Sequence, residues 1–586
     1  MIGKGYVRVL ALAAVLGVAA AACGGGSSSP SSTSSGPAGG PTGSVTVAVE
    51  QWPQCVNPIV TGCASASWTQ WAVYNEVFPK AMVFDPSTSQ MTNTALLTSA
   101  PSTSNGDVKS TSNGGMTVTF HINPAAKWDD GTPITSKDFA FTAEAMVKTK
   151  GSYYAAGSGY DLITKVDTSD PQTAVVTYSQ IYADWPDDFG GLTEVLKAAA
   201  YTSPDISKVE QTSIDYSGAP WKLQSWSKSQ EVLVPNTNYF VKADVPHLAK
   251  VIMVPREDQT TEINSILSGE TDAASPQPSN VSIVKQIASN PSIKAFAAAA
   301  AGGYYEAHWT NDEATFPAEN GQPNPLADPK VREAYAYAVN RDEIIKGLIQ
   351  LNQPDAQVLN CGLLAYPGTP YCQVQPFSKF TYDPQKSLSI LKADGWDCSK
   401  VPSSPCTKGN ETLNLLYATV AGNARRETTQ ELLKNSIKAT GFDYTFKNAE
   451  ATNLFGNVAP HGDFQVSDFA QGGTIDPGAS GTLGCDSVPT KANGYGGGNF
   501  DRWCNKTFDN LLHKADQQLD QSKRVAVENQ IMQYEADNNI FLPLYVLPQM
   551  LVWNSAKIAS TEDITKWVPT PQGPLYGMEH WYMVGS

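Results

Sequence analysis

Apolar residues alternate with polar ones in several short segments of the chain. In Ser44–Glu50, valines stand at positions 45, 47 and 49, which is typical of a β-strand with one buried face. Met116–Ile122 alternates in the same way. The other segments predicted to form strands are Thr173–Tyr178, Trp221–Trp226, Glu231–Val234, Lys250–Pro255, Ala299–Thr310, Leu413–Tyr417 and, as two strands around Pro548, Phe541–Asn554.

Other segments carry apolar residues at helical spacing. Between Phe139 and Val147 they recur at i, i+4, i+7 and i+8, which places them on one helix face. The remaining predicted helices are Gln259–Leu267, a helix pair over Asp328–Ile345, Tyr382–Trp396, Glu427–Lys438 and Thr507–Leu519. This alternation of strands and helices predicts an α/β fold with mixed sheets. A chain of 586 residues is too long for one hydrophobic core and predicts about two or three domains.

The segment Ala126–Thr142 combines a tight turn with a helix start. Asp130-Gly131 can adopt the positive φ angle that such a turn needs. Thr135 stands three residues before Asp138, a pattern similar to a capping box, and an apolar helix face follows directly. We therefore predict a strand–turn–helix corner with the side chain of Trp128 buried against it.

Composition and the missing motifs exclude several classes of function. The formal net charge of −16 argues against a nucleic-acid or anionic-membrane surface, since both require basic patches. The chain has no Gly-x-Ser-x-Gly, His-Glu-x-x-His or P-loop motif, so an exported enzyme is a minor alternative. No Cys-x-x-Cys motif occurs and the six histidines are scattered, so we expect no metal site and no cofactor.

The N-terminal residues differ in composition from the rest of the chain. Two basic residues precede an apolar run at Val9–Ala19, and small residues continue to Cys23, so residues 1–22 are predicted to be a signal peptide. The segment resembles a lipobox, with Ala20 where leucine is usual. One interpretation is a lipoprotein lipidated on Cys23, and the other is plain secretion. The Gly/Ser/Pro-rich residues 23–43 are predicted to form a flexible tether.

Eight cysteines remain when Cys23 is set aside. An even number of cysteines in an exported chain indicates disulfide bonds. Because these eight fall in four couples that are close in sequence, we predict the disulfides Cys55–Cys63, Cys361–Cys372, Cys398–Cys406 and Cys485–Cys504. Each closes a short loop, so each is expected to stabilise mainly its own region of the fold.

Several of these segments resemble one protein family. The corner at Trp128–Thr142 is similar to the signature of the family 5 extracellular solute-binding proteins, the oligopeptide, dipeptide and nickel receptors of ABC importers. Later segments that also resemble stretches of this family, in the right order, are Gly218–Trp226, Ser265–Ala273, Asp328–Arg341, Tyr382–Trp396 and Pro543–Tyr545. Two departures are Ala219-Pro220-Trp221 in place of Gly-Pro-Tyr and Ser387 in place of alanine.

The resemblance implies a two-lobe periplasmic-binding-protein fold of the cluster C type, with an extra domain in the first lobe. The implied organisation is 44–85 in the first lobe, 86–215 as the extra domain, 216–304 in the first lobe, 305–540 as the second lobe and 541–586 as a return to the first lobe. The chain is thus expected to cross between the lobes near Tyr304 and near Phe541. Such receptors close on a ligand by hinge motion, and we expect a monomer.

The resemblance also implies which residues face the cleft between the lobes. The ligand-binding candidates are Gln51 and Trp52 after the first strand, Tyr304 and Tyr305 at the crossing, and Asp468, Phe469, Gln471 and Asp476 in a Gly-rich loop. In peptide receptors of this family, an Asp three residues before an acidic-Pro pair binds the peptide α-amine. Here that pair is Asp476-Pro477, and the expected position holds Gly473. Either Asp468 takes this role or the ligand lacks a free amine.

The function implied by the resemblance is a lipid-anchored receptor on the outer face of the cytoplasmic membrane. It would deliver oligopeptides to an ABC permease and its ATPase, holding each peptide by main-chain hydrogen bonds with wet pockets for side chains. A non-peptide solute such as an oligosaccharide is the alternative ligand. Nickel or haem is disfavoured because no histidine cluster occurs. The sequence does not separate import from a receptor that only senses its ligand.

Overall fold

The computed structural model describes residues 40–64, 68–88, 90–155, 158–191, 193–276, 286–299, 304–310, 324–351, 353–363, 365–367, 369–472 and 478–585, with the backbone alone for 304–310. The predicted signal peptide (1–22), Cys23 and most of the predicted tether lie outside the described residues. Within the described ranges, no helix is both long enough and apolar enough to cross a bilayer.

Strands and helices alternate along the chain, as the sequence pattern predicts. The strands are β1 (Ser44–Val49), β2 (Met82–Asp85), β3 (Gln90–Asn93), β4 (Val108–Ser110), β5 (Met116–His121), β6 (Ile163–Asp170), β7 (Thr173–Tyr178), β8 (Trp221–Trp226), β9 (Glu231–Pro235), β10 (Lys250–Pro255), β11 (Ala273–Ala274), β12 (Ile293–Ala299), β13 (Tyr304–Thr310), β14 (Thr407–Lys408), β15 (Glu411–Thr412), β16 (Asn414–Ala418), β17 (Asp443–Phe446), β18 (Val466–Gly472), β19 (Phe541–Val546), β20 (Pro548–Asn554), β21 (Ile558–Ser560) and β22 (Trp581–Met583). The α-helices are α1 (Thr61–Ala64), α2 (Trp68–Val77), α3 (Ser136–Lys148), α4 (Gln259–Ser268), α5 (Pro329–Ala338), α6 (Arg341–Gly347), α7 (Pro384–Ala393), α8 (Ala424–Ser436), α9 (Ala451–Asn453), α10 (Ala459–His461), α11 (Ser480–Leu483), α12 (Lys506–Asp516) and α13 (Gln521–Asn538).

The sheet of the first lobe has the strand order β12-β20-β11-β1-β10-β9-β8. Strand β1 runs parallel to both of its neighbours, β10 and β11, while the outer pairs are antiparallel. The valines of β1 are fully buried, as the alternation predicts, but Ala48 between them is buried as well. Ala48 belongs to a second apolar cluster with Ile263 and Ile266 of α4. β1 is therefore covered on both faces, and the prediction of one buried face was wrong.

The extra domain contains the four-stranded sheet β4-β5-β7-β6 and helix α3. The corner that leads into α3 has the predicted form. Gly131 adopts a φ of +85°, and Thr135 is the N-cap of α3. The backbone N–H of Thr135 donates to Asp138 Oδ2 at 2.7 Å, which is one half of a capping box. Trp128 is buried, with only 1% of its surface exposed.

The sheet of the second lobe has the strand order β17-β16-β18-β13-β19. Strand β16 runs parallel to β17 and β18, whereas β13 runs antiparallel to β18 and β19. Its core includes Tyr335, Tyr417 and Phe541, and a separate core in the first lobe includes Trp128 and Trp221. Each lobe thus packs its own hydrophobic core, which allows the lobes to move as separate bodies.

The chain passes between the two sheets at two neighbouring places. It enters the second-lobe sheet at Tyr304, the first residue of β13, and on the return Leu547 alone separates β19 from β20. β12 pairs with β20, with Ala299 opposite Pro548, and β13 pairs with β19. The two crossings therefore lie side by side. β19 belongs to the second-lobe sheet, so the chain rejoins the first-lobe sheet at Pro548, later than the predicted boundary at Phe541.

The four local disulfides predicted from the sequence are confirmed. The bonded pairs and their Cα–Cα separations are Cys55–Cys63 at 5.1 Å, Cys361–Cys372 at 5.5 Å, Cys398–Cys406 at 4.4 Å and Cys485–Cys504 at 4.9 Å. The first pair lies in the first lobe and the other three lie in the second. None of them joins the lobes, so these four disulfides leave the crossing strands free to bend.

A buried carboxyl group on α13 makes stability depend on pH. Glu535 is fully buried, and burial raises its pKa to about 8 although its Oε2 accepts the N–H of Leu363 at 3.1 Å. The folded chain then keeps a proton that the unfolded chain releases, so stability falls as pH rises from the ordinary glutamate pKa towards 8. We expect Glu535→Gln to be more stable than the parent at pH 8.5 by at least about 1.4 kcal/mol, one pKa unit, and to differ little at pH 4.5. Urea denaturation at both pH values measures this.

The matched control is Glu431→Gln on α8, since 66% of the Glu431 side chain is exposed. We expect this control to follow the pH profile of the parent. An unchanged profile in Glu535→Gln would show that the buried carboxyl group does not cause the loss of stability at high pH.

Candidate functional site

The crossing strands place the candidate site between the lobes. Tyr304 begins β13 and pairs with Gly472, the last residue of β18. The chain therefore leaves β18 directly beside the crossing. The side chains of Tyr304 and Tyr305 lie outside the described residues, as do Gly473 and Asp476. Their contact with a ligand stays a prediction.

Gln51 and Trp52 follow β1 and are half-buried. The Gln51 side-chain carbonyl accepts the backbone N–H of Trp68 at 3.2 Å, and its backbone carbonyl accepts the hydroxyl of Thr69 at 2.8 Å. Trp52 Nε1 donates to the carbonyl of Ser227 at 3.0 Å. These bonds attach the segment after β1 to the start of α2 and to the β8–β9 turn.

Asp468 lies within β18 and not in a loop, because β13 pairs with that strand along its whole length. It is fully buried, and its backbone carbonyl accepts the hydroxyl of Thr419 at 2.9 Å. Burial raises the pKa of the nearby Tyr417 phenol, and the charge of Asp468 raises it further. In this structure the carboxyl group therefore belongs to the core of the second lobe, and its contact with a ligand amine stays a prediction.

Phe469 and Gln471 are also strand residues of β18. Phe469 is 2% exposed and packs edge-to-face against Phe455 and Phe500, with ring centroids 5.6 and 5.9 Å apart. Gln471 is half-buried and stands opposite Tyr305 at the crossing. Of the β18 residues predicted to touch ligand, Gln471 is the one placed near the hinge with part of its surface accessible.

A pocket in the first lobe adds residues that were not predicted from the sequence. Helix α2 presents Trp68, Trp71 and Asn75 to it, spaced as neighbours on one helix face. Across from α2 lie the segment 571–575 and Gln549, the second residue of β20. Because Gln549 follows the return crossing, the pocket adjoins the hinge. The helical spacing of the two tryptophans is the signal that sequence reasoning could have used.

A buried ion pair lines the same pocket. Lys80 Nζ lies 3.6 Å from Glu194 Oε1 and donates to the carbonyl of Gly191 at 2.9 Å. Burial raises the pKa of Glu194 to about 7, and Lys80 opposes the shift. Since the two charges compensate each other, the pocket offers indoles and amides rather than a net charge. Across the described ranges, no group of three or more His, Cys, Asp or Glu side chains is placed to hold a metal ion.

A family model matches more than half of the chain. The model described as "Bacterial extracellular solute-binding proteins, family 5 Middle" matches residues 93–487. The dipeptide-binding protein DppE of Bacillus subtilis is 24% identical over 481 residues, which cover 76% of this chain and 78% of DppE. The oligopeptide-binding protein OppA of Mycobacterium bovis is 23% identical over 502 residues, which cover 81% of this chain and 76% of OppA.

Solved structures share the two-lobe fold. The oligopeptide-binding protein AppA of Bacillus subtilis, in complex with a nonapeptide, superposes with a TM-score of 0.75 at 18% identity, over 93% of this chain and 99% of AppA. NikZ of Campylobacter jejuni, in complex with Ni(L-His), superposes with a TM-score of 0.73 at 19% identity, over 92% of this chain and 99% of NikZ. The predicted fold class is therefore confirmed. These two ligands differ in kind, so the fold alone does not identify the ligand.

Proposed function

Because the chain belongs to the family 5 bacterial extracellular solute-binding proteins, which are transport receptors of ABC importers and not enzymes, we propose that it captures oligopeptides between its two lobes. The loaded receptor then delivers the peptide to a membrane permease and its ATPase. The relatives DppE and OppA, whose names state dipeptide and oligopeptide binding, support the choice of peptides.

The observation that carries this proposal is the pair of side-by-side crossings. Two separate cores, with the chain passing from β12 to β13 and returning from β19 to β20 at neighbouring positions, form a hinge. A ligand that contacts both lobes binds the closed state better than the open state, and thereby shifts the population towards closure. The closed, loaded receptor is the form that the permease recognises.

The proposed ligand surface lies beside the hinge. Its proposed members are Gln51, Trp52, Tyr304, Tyr305, Gln471, Asp476 and the pocket residues Trp68, Trp71 and Gln549. Indole and phenol rings suit ligands that are partly apolar and partly polar. Asp468 and Phe469, which are buried in the second-lobe core, complete the proposed set of ligand residues, and Asp468 is the proposed partner of a peptide amine.

The proposal includes export and anchoring. Residues 1–22 are removed as a signal peptide, Cys23 becomes the lipidated first residue, and residues 23–43 tether the folded body to the outer face of the cytoplasmic membrane. The receptor acts as a monomer. The lipobox-like sequence before Cys23 and the Gly/Ser-rich composition after it support this arrangement.

Thermal melting in a ligand panel tests the proposed ligand class. The panel holds mixed tripeptides to octapeptides, the same peptides with acetylated N-termini, oligosaccharides and nickel. A ligand present at about 100 times its Kd stabilises the folded chain by roughly 2.7 kcal/mol, which is visible as a higher melting temperature. We expect stabilisation by the free peptides.

The acetylated peptides serve as the matched control for the amine. A shift with free peptides alone supports an acidic amine site. Equal shifts with both forms support peptide binding without an amine anchor, in line with Gly473 at the family's Asp position. Stabilisation by oligosaccharides or nickel and by no peptide would overturn the proposed ligand class.

A further inference from the structure

The two lobes also touch away from the crossing strands. The backbone N–H of Ala183 in the extra domain donates to the carbonyl of Asp516 at the end of α12, at 2.6 Å. One residue further along, the Asp184 carboxylate pairs with the guanidinium of Arg524 on α13. Leu519, between α12 and α13, packs against the hydrophobic core of the first lobe. Ala183 and Asp184 of the extra domain therefore contact the part of the second lobe that runs from the end of α12 to the start of α13.

Both members of the ion pair are almost fully buried. The side chain of Asp184 is 5% exposed and that of Arg524 is 2% exposed. A buried charge is costly unless a partner of opposite charge compensates it. The compensation is provided across the lobes, because the carboxylate is on one body and the guanidinium is on the other. Separating the lobes takes the Asp184 carboxylate away from Arg524 and lets water reach both groups.

Arg524 faces further acidic groups on its own lobe. Its Nε lies 4.0 Å from Glu528 Oε1, one helical turn along α13. Asp516 is also buried, and the electrostatic environment of its carboxyl group includes both Asp184 and Arg524. The guanidinium of Arg524 therefore interacts with carboxyl groups from both lobes, so Arg524 lies at the centre of the contact.

A second segment of the second lobe approaches Asp184 closely, at Gly478. A Cβ atom built on Gly478 would lie 2.6 Å from Asp184 Oδ2, closer than real Cβ contacts allow. Gly478 lies six residues after Gly472, the last residue of β18, which stands beside the crossing strands. The contact with Asp184 is therefore linked by a short stretch of chain to the edge of the candidate ligand site.

We propose that the Asp184–Arg524 pair and the Ala183–Asp516 hydrogen bond form an inter-lobe latch that sets how much of the receptor is closed. The latch exists only when the lobes meet, so it stabilises the closed state whether or not a ligand is present. Because the ligand also favours the closed state, the latch and the ligand are coupled. Weakening the latch lowers apparent affinity without altering any residue that touches the ligand.

Hydrogen exchange at the Ala183 amide tests the latch without a ligand. This N–H is bonded across the lobes, so its exchange reports the opening equilibrium. We expect Asp184→Asn and Arg524→Gln, each in the full chain, to accelerate exchange at Ala183 by roughly 5-fold or more, the lower end of usual coupling factors. Amides of β7, inside the extra domain, should exchange as in the parent.

The matched control is Lys379→Gln. Lys379 forms an ion pair with Asp537 at 2.7 Å, but both residues belong to the second lobe and are exposed. This variant should leave the Ala183 rate unchanged. Both changes break the same ion pair. The Ala183 amide of the double variant Asp184→Asn/Arg524→Gln should therefore exchange no faster than in whichever single variant exchanges faster.

Two results would overturn the latch. One is a parent-like exchange rate at Ala183 in Asp184→Asn. The other is an equal acceleration of hydrogen exchange at Ala183 and at the amides of β7. That result would show that the ion pair stabilises the fold of the extra domain and not the closed arrangement of the lobes. Neither readout depends on which ligand the receptor takes, so the ligand proposal can fail while the latch stands, and the reverse.

Discussion

Replacing Arg341 with alanine will lower the free energy of unfolding by about 4 kcal/mol or more. Arg341 is 5% exposed, and its guanidinium donates to four backbone carbonyls. These are Leu359 and Pro543, each at 3.0 Å from Nη1, and Phe377 and Phe380, at 2.9 and 2.7 Å from Nη2. Each buried carbonyl left without a partner costs at least about 1 kcal/mol. Burial lowers the pKa of Arg341 to about 10, so it is still charged at neutral pH.

The measurement is chemical denaturation followed by circular dichroism. Arg341→Lys should lose most of the same stability, because a single ammonium group cannot reach four carbonyls in fork geometry. The matched control is Arg256→Ala, which removes a partly exposed ion pair with Glu270 and should cost about 1 kcal/mol or less. A loss below about 1 kcal/mol in Arg341→Ala would show that these carbonyls find other partners.

Replacing Trp128 with alanine will lower the free energy of unfolding by about 3–5 kcal/mol, the usual range for deleting a buried indole. The ring packs edge-to-face on Tyr216 with centroids 5.3 Å apart, and Lys197 Nζ lies 5.9 Å from the ring centroid. Gly218 leaves room for the ring, since a Cβ there would lie 3.0 Å from Trp128 Cε3. The cavity left by alanine would sit where the first lobe meets its extra domain.

Thermal and urea denaturation of Trp128→Ala measure this loss. Trp128→Phe keeps part of the apolar contact and should lose less. The control Lys137→Ala changes an exposed residue of α3 a few residues further along and should stay within about 0.5 kcal/mol of the parent. Equal stability of Trp128→Ala and the parent would mean that the corner is held by its turn and cap alone.

Features that depend on residues close to one another along the chain could be predicted before the structure was known. The strand at β1, the helix start at Thr135 and the positive φ at Gly131 were all predictable, and the structure contains them. The four disulfides were predictable for the same reason, because each joins cysteines separated by 19 residues or fewer. Motif order then indicated the family, and with it the two-lobe fold.

Contacts between residues that are far apart in the sequence depend on how the strands and helices pack together. β19 lies in the second-lobe sheet because β13 pairs with it, a choice that its own apolar pattern does not encode. Asp468 reads as a loop acid in sequence, yet strand pairing draws it into the core. Asp184 and Arg524 are 340 residues apart, and only the packing of one lobe on the other brings them together. Local sequence patterns determine local conformation through backbone sterics and side-chain periodicity. The long-range contacts depend instead on how the strands and helices pack against one another after they have formed.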